Sequence, residues 1–238
     1  MADNSELAQK SSLRSRAAIF ALSTALFIYF FSLWNWSEAI QRTVFYVFQT
    51  RDLNRALELL RGVPIFFGPE MTGGGTLPGA FYYLLLACAL AIHNSWQAAW
   101  VLMIVLAGCS AVCAWFFLRF SRMTFVGFLW MTLFVASPLT QHFFMIFINP
   151  SYGFFFSVLA VIGTCFVATA SEAKSRNRAF ILSCWLIGFS VQIHFSLGFF
   201  LPALLLVYWR SRKNDRLAFF APILLWGLAG VVIPLLLY

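Results

Sequence analysis

The sequence is poor in charge. Only 10% of its 238 residues are Asp, Glu, Lys or Arg, and just eight are carboxylates, whereas about a quarter of the residues of an ordinary soluble domain are charged. Because 62% of the residues are hydrophobic, a soluble monomer of this composition would expose far more apolar surface than such proteins tolerate. The composition therefore excludes an ordinary soluble domain and indicates an integral membrane protein. Long apolar runs with little regular alternation favour helices over a β-barrel.

Several motifs for soluble chemistry are missing. The glycine run at 73–75 lacks the lysine and hydroxyl residue of a nucleotide P-loop, and it does not match a dinucleotide fingerprint. The net charge of +8 comes without a basic stripe or a nucleic-acid motif, so we expect no nucleic-acid partner. All five cysteines fall in apolar runs, where they are expected to be small buried residues. Cys109 and Cys113 share a helix face, but no further ligand accompanies them, so no metal site is predicted there.

The apolar runs predict an all-α, polytopic membrane bundle of about eight spans, since roughly 20 apolar residues cross a bilayer core of about 30 Å. Residues 1–16 form a polar N-terminal tail, and 17–238 form a single transmembrane domain whose first span is 17–36. The further runs are 77–93, 96–118, 124–141, 151–170, 179–196, 197–209 and 217–238. The N-terminus and three basic connectors, at 119–122, 174–178 and 210–216, are expected in the cytoplasm. Strict alternation of eight spans from a cytoplasmic N-terminus instead places all three connectors outside, so the orientation stays open.

The first outer loop, residues 37–76, holds half of the carboxylates. Within it, apolar residues recur at the spacing of one helix face: Leu53, Ala56, Leu57 and Leu60. Asp52 is expected to be the N-cap, and Gly62 followed by Pro64 is a stop signal. The pattern predicts an amphipathic helix of about nine residues that lies in the membrane interface with its leucines down. The stretch 68–79 then predicts a glycine-rich turn whose N–H groups can meet an anion.

Four segments in this order resemble a known family: RDLNRALELLRGVPIFFGP at 51–69, PGAFYYLL at 78–85, FINPSYGFFF at 147–156 and QIHFS at 192–196. Together they resemble the bacterial protein O-mannosyltransferase-like membrane glycosyltransferases of the GT-C fold. The resemblance covers residues 17 to about 210. It implies a multi-pass protein of the cell inner membrane that transfers a sugar from a polyprenyl-phosphate-linked donor to an acceptor at the outer membrane face. Membrane lipid is then a second partner, and the acceptor and the sugar stay open.

The resemblance implies roles for several residues. Asp52 corresponds to the loop carboxylate that takes the acceptor's proton, with helix N-cap as its simpler interpretation. The donor-binding candidates are Arg51, Arg55, Glu70, Tyr82, Tyr83, Gln192 and His194. For Glu70 the alternatives are a solvated loop acid or a divalent metal ligand, so a divalent metal stays open as cofactor. The two tyrosines are most simply interpreted as interfacial anchors. His194 is interpreted either as a donor-phosphate contact or as a buried hydrogen-bonding group.

The sequence departs from the family pattern in two ways. Positions 48 and 49, where relatives commonly carry acids, are Phe48 and Gln49, and no Asp lies in 140–150. The chain is also shorter than the family, and we expect it to correspond to the N-terminal half. These departures keep one alternative open, a catalytically incomplete, lipid-binding relative or fragment. Polar residues in apolar spans keep open another, a transporter of lipid or small solute. The transporter hypothesis expects matching halves, whereas the sequence contains no internal repeat.

Overall fold

A computed structural model describes residues 47–70, 74–120, 124–137, 140, 149–211, 225–230 and 232–233, with single positions between 18 and 32. This part of the chain is mostly helical, which confirms the predicted helical class. Its elements are α1 (Val47–Leu60), β1 (Phe67–Glu70), β2 (Thr76–Pro78), α2 (Phe81–Ile92), α3 (Trp96–Phe120), α4 (Thr124–Ala136), α5 (Asn149–Thr169), α6 (Ala173–Val191), a 3-10 helix (Phe195–Phe199) and α7 (Phe200–Ser211).

Two helices are long and apolar enough to cross a membrane. Trp96–Leu118 in α3 has a mean hydropathy of 2.5, and Ser151–Thr169 in α5 has one of 1.9. Shorter apolar helices occupy Phe81–Ile92 and Phe195–Ser211; at 1.5 Å per residue a helix of 12 residues falls well short of a bilayer core. The expected first span at 17–36 and last span at 217–238 lie largely outside the described residues. The number of about eight spans therefore stays a prediction.

The chain divides into two compact units. The larger unit, Val44–Ser110 with Phe147–Tyr238, has a core between α5, α6 and α7, where Phe180 stacks on Tyr208 with ring centroids 4.1 Å apart. The Tyr208 hydroxyl donates to Asn177 at 2.9 Å. The smaller unit is Met1–Thr43 with Ala111–Ile146. The single transmembrane domain expected over 17–238 stays a prediction.

Helix α1 is longer than expected and ends where expected. It has 14 residues, and Asp52 lies inside it, so the interpretation of Asp52 as the N-cap is wrong: the run before Asp52 is already helical. At the other end of the helix, Gly62 has φ 82°. The Gly62 N–H donates to the Leu59 carbonyl, and the Val63 N–H donates to the Glu58 carbonyl, both at 3.0 Å. These two bonds form a Schellman motif, which confirms the predicted stop.

The glycine-rich stretch forms a short hairpin where a turn alone was expected. Strands β1 and β2 pair antiparallel, with Phe67 opposite Pro78 and Glu70 opposite Thr76. Gly74 and Gly75 have φ of 90° and 81°, a backbone conformation that only glycine adopts freely. Gly74 and Gly75 therefore lie in the connection between the two strands, and the residues on either side of that connection pair with one another.

Two glycines with equally open surroundings are expected to respond differently to alanine. A Cβ atom built on Gly62 or on Gly108 meets nothing within 4 Å, but Gly62 has a positive φ and Gly108 lies within α3. Gly62→Ala should lower the free energy of unfolding by about 1–2 kcal/mol because the left-handed backbone disfavours a side chain. Gly108→Ala should be neutral or raise it by up to about 1 kcal/mol.

Denaturant unfolding of the detergent-solubilised variants measures both effects. Equal effects at the two positions, or stabilisation by Gly62→Ala, would contradict the helix end described above.

Candidate functional site

Helix α1 packs against α2 through a face that carries a carboxylate. Gln49, Asp52 and Ala56 lie at i, i+3 and i+7 and are 2%, 3% and 0% exposed. Of the leucines expected to line the apolar face, Leu60 is 46% exposed. A buried carboxylate is costly unless it is paired and hydrogen-bonded, so the partners of Asp52 decide what this face can do.

Three donors converge on one oxygen of Asp52. Arg51 donates from Nε at 3.0 Å and from Nη2 at 2.9 Å to Oδ1, and the Tyr83 hydroxyl of α2 donates to the same oxygen at 3.3 Å. Burial raises the pKa of Asp52 above its ordinary range, while the hydrogen bonds from Arg51 and Tyr83 oppose that shift. The pairing therefore joins α1 to α2 and also holds the Arg51 guanidinium in place.

Arg51 reaches a second carboxylate. Its Nη1 donates to Glu70 Oε2 at 2.5 Å, which ties α1 to the last residue of β1. The two carboxylates differ in environment, since the side chain of Asp52 is 5% exposed and that of Glu70 is 67% exposed. We call Arg51, Asp52, Glu70 and Tyr83 the Arg51 cluster. One turn further along α1, Arg55 donates to Glu58 at 2.8 Å.

A cleft of about 280 Å³ opens between α1 and the hairpin; we call it the first-loop cleft. Its polar wall is formed by Arg51, Arg55, Glu70, Thr76 and Tyr83, and its apolar wall by Pro64, Ile65, Phe66, Phe67 and Gly68. Phe66 and Phe67 are 51% and 64% exposed. A cleft with guanidinium groups on one side and exposed aromatic rings on the other suits an amphiphile with an anionic headgroup.

Gln192 lies against Gly79, which connects β2 to α2. It is 1% exposed, and its Oε1 accepts the Phe81 N–H at 3.0 Å, which satisfies one of the free amides at the start of α2. Gly79, at φ 76°, passes so close that a Cβ there would lie 2.2 Å from Gln192 Oε1. Gln192 therefore joins the start of α2 to the end of α6.

Two further candidates also lie away from the cleft lining. Tyr82 is 1% exposed and packs edge-on against Tyr152 of α5 with centroids 5.5 Å apart; the Tyr152 hydroxyl donates to the Ala99 carbonyl. The rings of Tyr82 and Tyr83 of α2 lie 5.7 Å apart, but of the two only Tyr83 lines the cleft. The Nδ1 of His194 is 2.7 Å from Ser196 Oγ.

The structure thus brings together Arg51, Asp52, Glu70 and Tyr83 in one cluster, with Arg55 on the same cleft. Tyr82, Gln192 and His194 are not among its lining residues, and the donor-binding roles expected of them stay predictions. Both tyrosines are buried, which disagrees with their interpretation as interfacial anchors: one packs on Tyr152 and the other on Asp52.

The apolar wall of the cleft was not predicted from the sequence. The signal that could have predicted it is the run VPIFF at 63–67, between the helix stop and the glycine-rich stretch. An apolar run in a polar loop is expected to pack against the protein or to contact lipid. Thr76 was missed for a different reason: only strand pairing brings it opposite Glu70.

The chemistry of the Arg51 cluster is that of an ion-paired site. Among the residues that the structure describes, no group of three His, Cys, Asp or Glu side chains is arranged to hold a metal ion. Asp52 and Glu70 instead share one guanidinium. A divalent metal at Glu70 stays a prediction.

Comparison with protein-family models, with curated proteins and with solved structures gives no match. The interpretation of the cleft therefore depends on its residues and on the motif resemblance alone.

Two glycines near the hairpin separate backbone strain from side-chain crowding. Gly79→Ala places a Cβ against Gln192 at φ 76°, whereas Gly74→Ala has φ 90° and meets nothing within 4 Å. Both should lose about 1–2 kcal/mol of unfolding free energy to the backbone, and Gly79→Ala should lose a further 1–3 kcal/mol or so to overpacking.

A double-mutant cycle with Gln192→Ala tests the cause. Because removal of the glutamine side chain relieves the clash, Gln192→Ala should be less costly in the Gly79→Ala background than in the wild type, with a coupling of about 0.5–3 kcal/mol. Additive effects would show that the two residues do not crowd one another.

The raised pKa of Asp52 predicts a specific pH dependence of stability. The folded state holds the Asp52 proton more firmly than the unfolded state, whose carboxyl titrates near 3.8. This contribution is complete below that pH and is lost as pH rises through the higher folded pKa. The wild type should therefore lose stability relative to Asp52→Asn over that window, as followed by thermal unfolding at a series of pH values. The opposite slope would mean that the Arg51 ion pair outweighs burial.

Proposed function

We propose that the chain binds a polyprenyl-phosphate-linked sugar at the first-loop cleft and is a membrane glycosyltransferase. The observation that carries the proposal is the Arg51 cluster: a guanidinium held by a buried carboxylate at the edge of a cleft with an aromatic wall. The order of motifs along the chain supports the same activity. The acceptor and the sugar are not assigned.

Phosphate recognition is the first part of the proposal. Arg51 and Arg55 both line the cleft, and arginine forms short, charge-assisted hydrogen bonds with phosphate oxygens. The exposed rings of Phe66 and Phe67 would contact the first isoprene units of the lipid. In this arrangement the phosphate lies near the membrane interface, where an amphipathic α1 would also lie.

Sugar transfer is the second part. The acceptor hydroxyl oxygen attacks the anomeric carbon, the bond from that carbon to the phosphate oxygen breaks, and the lipid phosphate leaves with the bonding electrons. The hydroxyl proton passes to a base, for which Asp52 is proposed. The described hydrogen bonds to this carboxylate end on Oδ1, so Oδ2 is the oxygen proposed to take the proton. A carboxylate with a raised pKa is a better base than an ordinary one.

The membrane location of the protein is inferred from its composition and from the length of its apolar helices. The apolar composition and two helices of spanning length support a membrane protein. A multi-pass topology in the cell inner membrane, with the cleft at the outer face, is part of the proposal.

Asp52→Asn tests the assigned base. The amide keeps the shape of the side chain but accepts a proton poorly, so sugar transfer should fall by about 10²–10⁴. The assay uses membrane vesicles that hold the full chain together with the acceptors of its native membrane. A radiolabelled polyprenyl-phosphate monosaccharide, drawn from a panel of sugars, is added, and label lost from the donor is measured together with polyprenyl phosphate released.

Glu172→Gln is the matched control, because it removes one carboxylate charge at an exposed position before α6 and should leave transfer unchanged. Wild-type rates in Asp52→Asn would refute the role of this carboxylate, and absence of donor consumption by the wild type with every sugar would refute the transferase.

A second candidate function is favoured by the burial of Asp52. The residue is 3% exposed and does not line the cleft, since Arg51 and Tyr83 cover it. A carboxylate in this position can also serve purely to hold Arg51, as in a lipid-binding protein without catalysis. Such a protein would bind polyprenyl phosphate and consume no donor in the same assay.

A further inference from the structure

The guanidinium of Arg51 has one fixed partner and one exchangeable partner. Towards Asp52 it donates two hydrogen bonds to a side chain that is 5% exposed. Towards Glu70 it donates one hydrogen bond, to a side chain that is 67% exposed. Exposed ion pairs contribute little to stability because water and salt screen them, so the contact with Glu70 is the one that a ligand can break.

The charges around the cleft point to the same residue. The charged side chains that line the cleft are those of Arg51, Arg55 and Glu70. Both guanidinium groups are already ion-paired, Arg51 with Asp52 and Glu70, and Arg55 with Glu58. A phosphate therefore gains a contact with the Nη1 edge of Arg51 only if Glu70 moves away.

Glu70 is placed to move. It is the last residue of β1, and the connection to β2 includes Gly74 and Gly75 at positive φ. Asp52 is fixed by comparison, since it lies within α1 and accepts the Tyr83 hydroxyl of α2. Rotation of the Glu70 side chain frees the Nη1 edge of Arg51 without breaking a helix contact.

We propose that Glu70 is a competing anion: it occupies the Nη1 edge of Arg51 in the unliganded protein and is displaced by the phosphate of the lipid ligand. The inference rests on the proposed function for the identity of the ligand as a polyprenyl phosphate. It differs from a donor-binding role for Glu70 in the sign of its effect, because a competing anion weakens binding and a donor ligand strengthens it.

Binding of farnesyl phosphate, a short-chain probe without sugar, tests the inference by titration calorimetry of the detergent-solubilised full chain. Glu70→Gln removes the competing charge and should tighten binding about two- to fivefold, the range of an exposed ion pair. Glu172→Gln removes the same charge at an exposed position and should leave the affinity unchanged. Arg51→Gln should weaken binding at least as much as Glu70→Gln tightens it.

Each outcome decides the matter. Weaker or unchanged binding by Glu70→Gln overturns the inference, provided that the thermal unfolding midpoint of the variant matches that of the wild type. Absence of farnesyl phosphate binding by both the wild type and Glu70→Gln also overturns it. The titrations are repeated with EDTA and with Mg²⁺: a loss of affinity in Glu70→Gln that appears only with Mg²⁺ would assign Glu70 to a metal instead.

The sugar-transfer assay keeps the two proposals apart. Tighter binding by Glu70→Gln in a chain that consumes no donor supports the inference and refutes the transferase. Donor consumption by a wild type whose Glu70→Gln variant binds more weakly does the reverse.

Discussion

The contact between Asp52 and Arg51 is the interaction on which the first loop depends. It places a carboxylate on the packed face of α1, gives that carboxylate a third donor from Tyr83 of α2, and thereby fixes the direction of the guanidinium. In that direction the Nη1 edge of Arg51 faces the hairpin and reaches Glu70. A buried charge pair of this kind adds little to stability relative to an apolar pair, so its value lies in the position it gives to Arg51.

The hairpin and the start of α2 complete the site from the other side. The backbones of Gly68 and Gly79 lie close together: a Cβ atom on Gly68 would be 2.8 Å from the Gly79 carbonyl oxygen. Gln192 closes this arrangement by accepting the Phe81 N–H. Gln192 at the end of α6 thus fixes the position of the hairpin and of the start of α2, although it is far from them in the sequence.

Sequence reasoning found the polar residues of the site and the end of α1, since both have local causes. Gly62 stops the helix through its own backbone bonds, and Asp52, Glu70 and their arginines are conspicuous where carboxylates are few. It failed for the start of α1 and for the strands. An Asp preceded by VFQTR has the chemistry of an N-cap whether or not the helix continues, and pairing of Phe67 with Pro78 depends on contacts across the turn.

The first-loop cleft is proposed to hold a lipid phosphate. Photocrosslinking with a polyprenyl phosphate that carries a photoreactive group beside the phosphate tests it most directly. Mass spectrometry should locate the label within residues 51–83, and excess unlabelled polyprenyl phosphate should remove it. Label confined to helices α5 to α7, or label that the competitor does not remove, would contradict the account.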